Sequence, residues 1–293
     1  MFILSALQQT LFFLPLTLGI YLSYRILAVT DLTVDGTFVL GAATFAYLIT
    51  HGHNEYSSVL LAMIAGSIAG ALVALMQKII HINSLIAGIL ATFMLYSVNF
   101  RVMGRPNINL LNYPTLLGRL QFTHPLILFI VMLVFTAVLF GLIYSLLHTR
   151  LGLLLRAYGS NTPLVKRMGK STIILLMFGL AISNSLAALT GVIATQVNGY
   201  ADINMGLGMA LVAIGAVAIG RHLMIRLLYK QSKFNALIDC FSCLIGTFLY
   251  FLAMNFFLLM GVNPIYLKLL LGLVLVLFLG AARYSNYNQE IYE

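Results

Sequence analysis

Apolar residues along this chain occur in long runs, separated by short segments in which glycine, proline, amide and basic side chains concentrate. Each run is close to the about 20 residues that a helix needs to cross a bilayer core. The pattern predicts an all-α, polytopic membrane helical bundle of about nine spans, and eight or ten stay open because 205–257 divides in more than one way. The runs lie near residues 7–27, 34–50, 58–77, 84–100, 125–147, 173–196, 205–220, 235–257 and 264–282.

Composition supports a membrane location. The chain is 61% hydrophobic and 8% charged, whereas a soluble domain carries about 25% charged residues. No polar region flanks the apolar runs, so we expect one transmembrane domain over residues 1–293 and no separate enzyme module. The formal net charge of +9 would suggest nucleic acid in a soluble protein, but here it indicates basic loops held on the cytoplasmic side.

Basic residues orient the predicted bundle. Two loops, 148–172 and 221–233, lie two spans apart and hold most of the lysines and arginines, which places both in the cytoplasm. These residues are Arg150, Arg156, Lys166, Arg167, Lys170, Arg221, Arg226, Lys230 and Lys233. The alternation of spans then puts the segment 101–124 outside, although it also carries three arginines, Arg101, Arg105 and Arg119.

Two acidic blocks interrupt the apolar pattern in a similar way. In "VTDLTVDGTFVLGAA", Thr30 or Asp31 is expected to cap a helix start, and Asp35-Gly36 to supply a bend. The block "NGYADINMGLGMALVAIG" has a similar shape around Asp202 and opens a helix from the opposite face. Similar breaks in opposite orientation are typical of transporters built from inverted halves. Ordinary helix capping remains the alternative.

Polar side chains near these breaks are candidates for a translocation path, because polar groups within membrane spans are costly and functional. They would suit a small zwitterion, a sugar or a nucleoside. The candidates are Asp31, Thr33, Asp35, Asn99, Asn184, Asn198, Asp202 and Asn204. A stripe of small and polar residues between 184 and 195 either lines this path or a subunit interface, or packs against neighbouring helices.

No catalytic or metal site is expected. The chain lacks H-E-x-x-H and G-x-S-x-G patterns, and the pair Cys240 and Cys243 has too few ligands for zinc. The letters "GKST" at 169–172 close a P-loop, but the required earlier glycine is replaced by Leu164. We therefore expect neither an enzyme nor a bound nucleotide or other cofactor. A secondary carrier remains an alternative, although the spans lack the acidic or histidine groups that couple ions.

The loop "HTRLGLLLRAYGSNTPLVKRMGKS" resembles the cytoplasmic loop of ABC importer permeases in the branched-chain amino acid and ribose permease superfamily. The resemblance implies a short coupling helix at about 160–168 that docks on a separate ATPase subunit, where ATP binds. It agrees with local chemistry, since Asn161 can cap this helix, Pro163 suits its first turn and Gly169 can end it. The coupling residues it implies are Arg150, Gly152, Arg156, Gly159, Asn161, Pro163, Lys166, Arg167 and Gly169.

The blocks "RILAVTDLTVDGTFVLGAA" and "LAISNSLAALTGVIATQVNGYADINMGLGMALVAIGAVAIG" also look like an ABC permease group often labelled tryptophan/tyrosine-type. That resemblance implies a type II importer-like fold in the bacterial inner membrane. It further implies two permease copies, as a homodimer or a paired heterodimer, an ATPase and an extracytoplasmic solute-binding protein. The chain departs from the group at Arg221, where an acidic residue is usual.

Overall fold

The computed structural model describes residues 2–227 and 236–263, with a few further positions between 266 and 280. The loop residues Lys230 and Lys233 and most of the predicted span 264–282 lie outside the described residues. Within them, seven helices are long and apolar enough to cross a membrane, and Met209–Met224 is a shorter apolar helix. The predicted polytopic helical bundle is confirmed.

The elements follow the predicted order, with three short helices and two short strands between the spans. In chain order they are α1 (Phe2–Ile20, continued by a π-helical turn at Tyr21–Ile26), α2 (Thr33–Thr50), α3 (Glu55–Ile79), α4 (Ser84–Met103), β1 (Asn107–Asn109), α5 (Leu116–Thr123), α6 (Pro125–His148), α7 (Arg150–Ser160), α8 (Thr162–Arg167), α9 (Thr172–Asn198), β2 (Tyr200–Asp202), α10 (Met209–Leu227) and α11 (Ala236–Leu259).

Helices α2 and α9 form the centre of the bundle. They pack against each other and against α3, while α4 covers α2 and α1 covers α9. Most residues of α2 and α9 are buried, whereas most residues of α3, α4 and α6 are half-buried or exposed. Exposed apolar side chains on these outer helices, such as Ile68, Phe93 and Leu142, are what a lipid-facing surface requires.

Glycine allows the central helices to approach closely. A Cβ on Gly41 of α2 would clash with the backbone of Ala188, and one on Gly191 of α9 would clash with the carbonyl oxygen of Phe38. On α3, a Cβ at Gly66 would lie 2.6 Å from the carbonyl oxygen of Asn184. The stripe between 184 and 195 is therefore an internal packing surface, as small residues at helix contacts in membranes commonly are.

The bundle has two distinct ends. At one end, β1 pairs antiparallel with β2, and Glu55 accepts hydrogen bonds from the backbone N–H of Leu116 at 3.0 and 3.1 Å. At the other end, α7 and α8 join α6 to α9. The whole length of α9 separates β2 from α8, so Arg105 and Arg119 lie opposite the basic 148–172 loop. This arrangement agrees with the predicted external position of 101–124, and we call the α7–α8 end the cytoplasmic end.

Candidate functional site: a basic docking surface and two buried polar networks

The first candidate site is the pair α7–α8, which covers the loop that the sequence singled out. The Thr149 hydroxyl accepts a hydrogen bond from the N–H of Gly152 at 3.2 Å and caps α7. The Asn161 side chain accepts one from the N–H of Leu164 at 3.0 Å and caps α8, with Pro163 in its first turn. Gly169 follows with a φ of +71°. The short helix is therefore where its capping residues predicted it; α7 before it was not predicted.

Several contacts hold α7 under the bundle. A Cβ on Gly159 would clash with the carbonyl oxygen of Ile26 at the end of the π-helical turn of α1. The Arg156 guanidinium donates to the carbonyl oxygen of Leu147 at 2.7 Å. The Lys78 ammonium lies 5.2 Å from the centroid of the Tyr158 ring, a distance at which a cation–π interaction stabilises the contact. Helix α7 thus contacts the cytoplasmic ends of α1, α3 and α6.

The outward face of α7–α8 is both apolar and basic. We define the coupling surface as the exposed side chains of Leu151, Leu153, Leu164, Lys166, Arg167 and Met168. Leu153 and Met168 are 55% and 56% exposed, although Val165 beside them is fully buried. The exposed surface of α7 and α8 thus combines apolar side chains with two cations.

The second candidate site is a buried network between α2 and α9. One Asp31 carboxylate oxygen accepts from the N–H of Thr33 at 2.9 Å, and the other accepts from the Asn184 amide at 2.7 Å. The Asn184 amide oxygen accepts in turn from the Thr37 hydroxyl at 2.8 Å. Asp31 is 1% exposed and Asn184 is fully buried. The network therefore joins the break before α2 to the middle of α9.

A third contact joins the two acidic blocks directly. The Asp35 carboxylate accepts hydrogen bonds from the N–H groups of Gly208 and Ala210, at 3.0 and 2.6 Å. It thereby caps α10, whose first N–H groups have no partner within the helix. Asp35 and Gly36 lie inside α2, so the predicted bend at these residues is wrong. The break falls earlier, around Ala28 with its φ of 55°.

Gly36 serves packing rather than bending. A Cβ there would lie 2.8 Å from the Leu95 side chain of α4, and the Gly36 carbonyl oxygen accepts from the Asn99 amide at 3.0 Å.

Helix α2 runs parallel to α9, because Thr37 contacts Asn184 and Gly41 contacts Ala188 further along both helices.

Helices α2 and α10 run in opposite directions from starts that meet. Helix α11 runs antiparallel to α1, since Tyr21 contacts Asp239 and Thr17 contacts Thr247. Helix α10 runs antiparallel to α11, because Gly220 packs against Ser242 and Ala216 packs against Gly246. Helices α1 and α9 are also antiparallel. Helix α10 therefore runs in the direction of α1, whereas α2 runs in the direction of α9, so α2 and α10 have opposite directions. The two N-termini meet at Asp35, inside the bundle.

The remaining candidate path residues lie elsewhere. Asp202 accepts hydrogen bonds from the N–H of Asn204 at 2.8 Å and from the Asn107 amide at 3.3 Å. Both contacts lie at the external end, where Asn198 and Asn204 are exposed. The eight candidates therefore form a buried group around Asp31 and Asn184 and an external group around Asp202.

The sequence analysis did not predict a group of charged side chains at the cytoplasmic end. The Tyr21 hydroxyl donates to the Asp239 carboxylate at 3.3 Å, and this carboxylate interacts electrostatically with Arg25, Arg156 and Arg221. Partial burial lowers the pKa of Arg156 from its usual value, and its interactions with Tyr21 and Asp239 oppose that shift. These five residues lie on four helices that are far apart in the chain, so no sequence motif contains them. The sequence offered one signal for this cluster, which is the position of Asp239 near the edge of a predicted span.

The two cysteines belong neither to the α7–α8 surface nor to the network around Asp31 and Asn184. Cys240 and Cys243 are free and fully buried in α11. They pack as small apolar residues within the bundle.

Comparison with known proteins shows which family the chain resembles in sequence. Residues 2–279 match the sequence model of the family described as branched-chain amino acid transport system / permease component. The chain is 50% identical over 281 residues to an uncharacterized protein of Rickettsia prowazekii (strain Madrid E), covering 96% of this chain and 98% of that protein. No solved structure matches it.

Two further relatives carry transport names. The chain is 32% identical over 278 residues to the tyrosine transport system permease protein of Clostridioides difficile (strain R20291), covering 94% of this chain and 90% of that protein. It is 28% identical over 218 residues to the galactofuranose transporter permease protein of Escherichia coli (strain K12), covering 73% of this chain and 61% of that protein.

Proposed function

Because the chain belongs to the family of branched-chain amino acid transport system permease components, a family of multi-pass membrane permeases rather than enzymes, we propose that it is the membrane subunit of an ATP-driven importer. In this proposal a separate ATPase docks on the coupling surface and drives uptake of a small solute. Two copies of the chain would form the path, and an extracytoplasmic binding protein would deliver the solute.

The observation that carries the proposal is the coupling surface itself. Helix α8 and its end expose the apolar side chains of Leu164 and Met168 together with the cations Lys166 and Arg167, while α7 contacts α1, α3 and α6. A partner with an acidic, partly apolar cleft fits this surface. A force applied there would reach three spans at once, which a solvated loop would not permit.

The docking test is a double charge reversal, Lys166→Glu with Arg167→Glu. We expect copurification of the ATPase partner from the cells that express this chain to fall about tenfold or more, because like charges across an interface cost several kcal/mol. The matched control is Arg101→Glu with Arg105→Glu at the external end, which should leave the yield of the complex unchanged. Equal loss in both variants, or no loss in the first, would contradict the docking assignment.

For the solute we propose an amino acid. A relative that aligns over nearly all of this chain is named for tyrosine, whereas the relative named for a sugar aligns over a smaller part. The test uses the solute-binding protein that copurifies with this chain, heated with each amino acid, with galactose and with adenosine. We expect an amino acid to raise its Tm, since a ligand that binds the folded state stabilises it. A rise with the sugar or nucleoside alone would reject this substrate class.

A further inference from the structure

A cavity at the external end belongs neither to the coupling surface nor to the buried networks. It has a volume of about 320 Å³ and lies between the start of α3 and the short helix α5. This volume is within the range of small-molecule sites, about 300–1,000 Å³. The residues that line the cavity are Glu55, Pro114, Leu116, Arg119 and Leu120.

Local structure brings two opposite charges to this cavity. Leu116, Arg119 and Leu120 lie three and four residues apart, which places them on one face of α5. Both oxygens of the Glu55 carboxylate accept from the N–H of Leu116, at 3.0 and 3.1 Å, and the carboxylate is thereby fixed at the start of α5. A carboxylate can accept about four hydrogen bonds, so a further donor can bind it. Within residues 2–227 and 236–263, the exposed Arg119 guanidinium makes no hydrogen bond or ion pair.

The cavity lies where two lipid-facing helices enter the membrane. Helix α3 begins at Glu55 itself, and α6 begins at Pro125, two residues after the end of α5. Near these starts, Tyr56 and Leu126 are 74% and 70% exposed. Tyrosine at the end of a span is typical of the membrane–water interface, where lipid headgroups lie. The cavity is therefore at the level of the headgroups of the outer leaflet.

We propose that this cavity binds the headgroup of a zwitterionic phospholipid that carries a primary ammonium, such as phosphatidylethanolamine. The ammonium donates to Glu55, the phosphate accepts from the Arg119 guanidinium in a charge-assisted contact, and the glycerol region packs on Leu116 and Leu120. A free amino acid has similar charges, but the position beside lipid-facing helices favours the lipid. The inference depends neither on ATPase docking nor on the transported solute, so its failure would leave the proposed function intact.

The test is native mass spectrometry of the purified chain with equimolar phosphatidylethanolamine and phosphatidylcholine of equal chain length. Both lipids present a phosphate to Arg119, but the trimethylammonium of phosphatidylcholine has no N–H to donate to Glu55. We expect the wild type to retain about threefold more phosphatidylethanolamine, the scale of an exposed charge pair. When methyl groups are added to the ammonium one at a time, retention should fall at the step that removes the last N–H.

Two variants separate the roles of the two charges. Glu55→Gln keeps a side-chain oxygen that can cap α5 but loses the charge, so the preference for phosphatidylethanolamine should disappear. Arg119→Gln should lower retention of both lipids about threefold and keep the preference, because both lipids carry the phosphate. Arg105→Gln, which changes an exposed arginine at the same end but outside the cavity, is the matched control and should change neither quantity.

Equal retention of the two lipids by the wild type, or an unchanged preference in Glu55→Gln, overturns the headgroup assignment. The methylated series needs only the wild type, so the inference stays testable if a variant fails to fold. Excess free tyrosine should leave the retained lipid in place. Displacement of the lipid by tyrosine would identify the cavity as a solute site and overturn the lipid assignment.

Discussion

Replacing Gly191 with leucine is expected to destabilise the bundle more than any exposed substitution, by about 3 kcal/mol, the upper part of the range for overpacked cores. Gly191 of α9 meets the carbonyl oxygen of Phe38, and its Cβ position also lies 3.2 Å from the backbone nitrogen of Ala42. Backbone atoms of α2 cannot move aside as the end of a flexible side chain can. The central helices would have to separate, and their other close contacts, such as that of Gly41 with Ala188, would be lost together.

The free energy of unfolding of the purified chain, followed by denaturant or by Tm in one detergent, measures this effect. Gly141→Leu is the matched control, since no atom lies within 4 Å of a Cβ at Gly141 on α6. We expect that variant to keep the stability of the wild type. If Gly191→Leu unfolds at the same point as Gly141→Leu, the tight contact between α2 and α9 does not exist.

Replacing Asn184 with alanine is expected to cost a further large share of stability, about 3 kcal/mol. The Asn184 amide donates to Asp31 at 2.7 Å and accepts from Thr37 at 2.8 Å. Its removal leaves one oxygen of the buried Asp31 carboxylate without its partner, which is costly for a buried charged group. The Thr37 hydroxyl keeps the carbonyl oxygens of Thr33 and Val34 as acceptors. We expect the damage to concentrate at the start of α2, where the Asp31 carboxylate also accepts from Thr33.

A double-mutant cycle identifies the cause of that loss. When Asp31 is already asparagine, Asn184→Ala should cost at least 1 kcal/mol less, roughly the penalty of leaving a charged group without its partner. Asn112→Ala at the exposed external end serves as the control and should change stability by less than about 0.5 kcal/mol. Additive effects of the two buried substitutions would contradict a direct Asp31–Asn184 interaction.

Local chemistry accounts for what the sequence predicted well. The apolar runs give the spans because a bilayer offers backbone groups no partner outside a helix. The α8 helix follows from the spacing of Asn161, Pro163 and Gly169, which act within one turn of the backbone. The cap at Asp31 was predictable for the same reason, since its carboxylate reaches an N–H two residues later.

Predictions failed where a residue acts across the bundle. Asp35-Gly36 has the sequence of a turn, yet Asp35 caps α10, some 170 residues later in the chain, and Gly36 accommodates α4. The small-residue stripe of α9 left both packing and path lining open, because a small residue on a helix face looks the same in both. The contacts of Gly191 with Phe38 and of Ala188 with Gly41 decide for packing.

By itself, the sequence determined that this protein is a multi-pass helical bundle and that a short capped helix, α8, lies between the spans α6 and α9. These properties depend on the free energy of burying side chains in lipid and on hydrogen bonds within a single turn. The tertiary structure alone decided that the starts of α2 and α10 meet at Asp35, that Asp31 is held by Asn184, and that Tyr21 donates to Asp239. Those contacts depend on which helices are neighbours, and neighbours are chosen by the packing of the whole bundle.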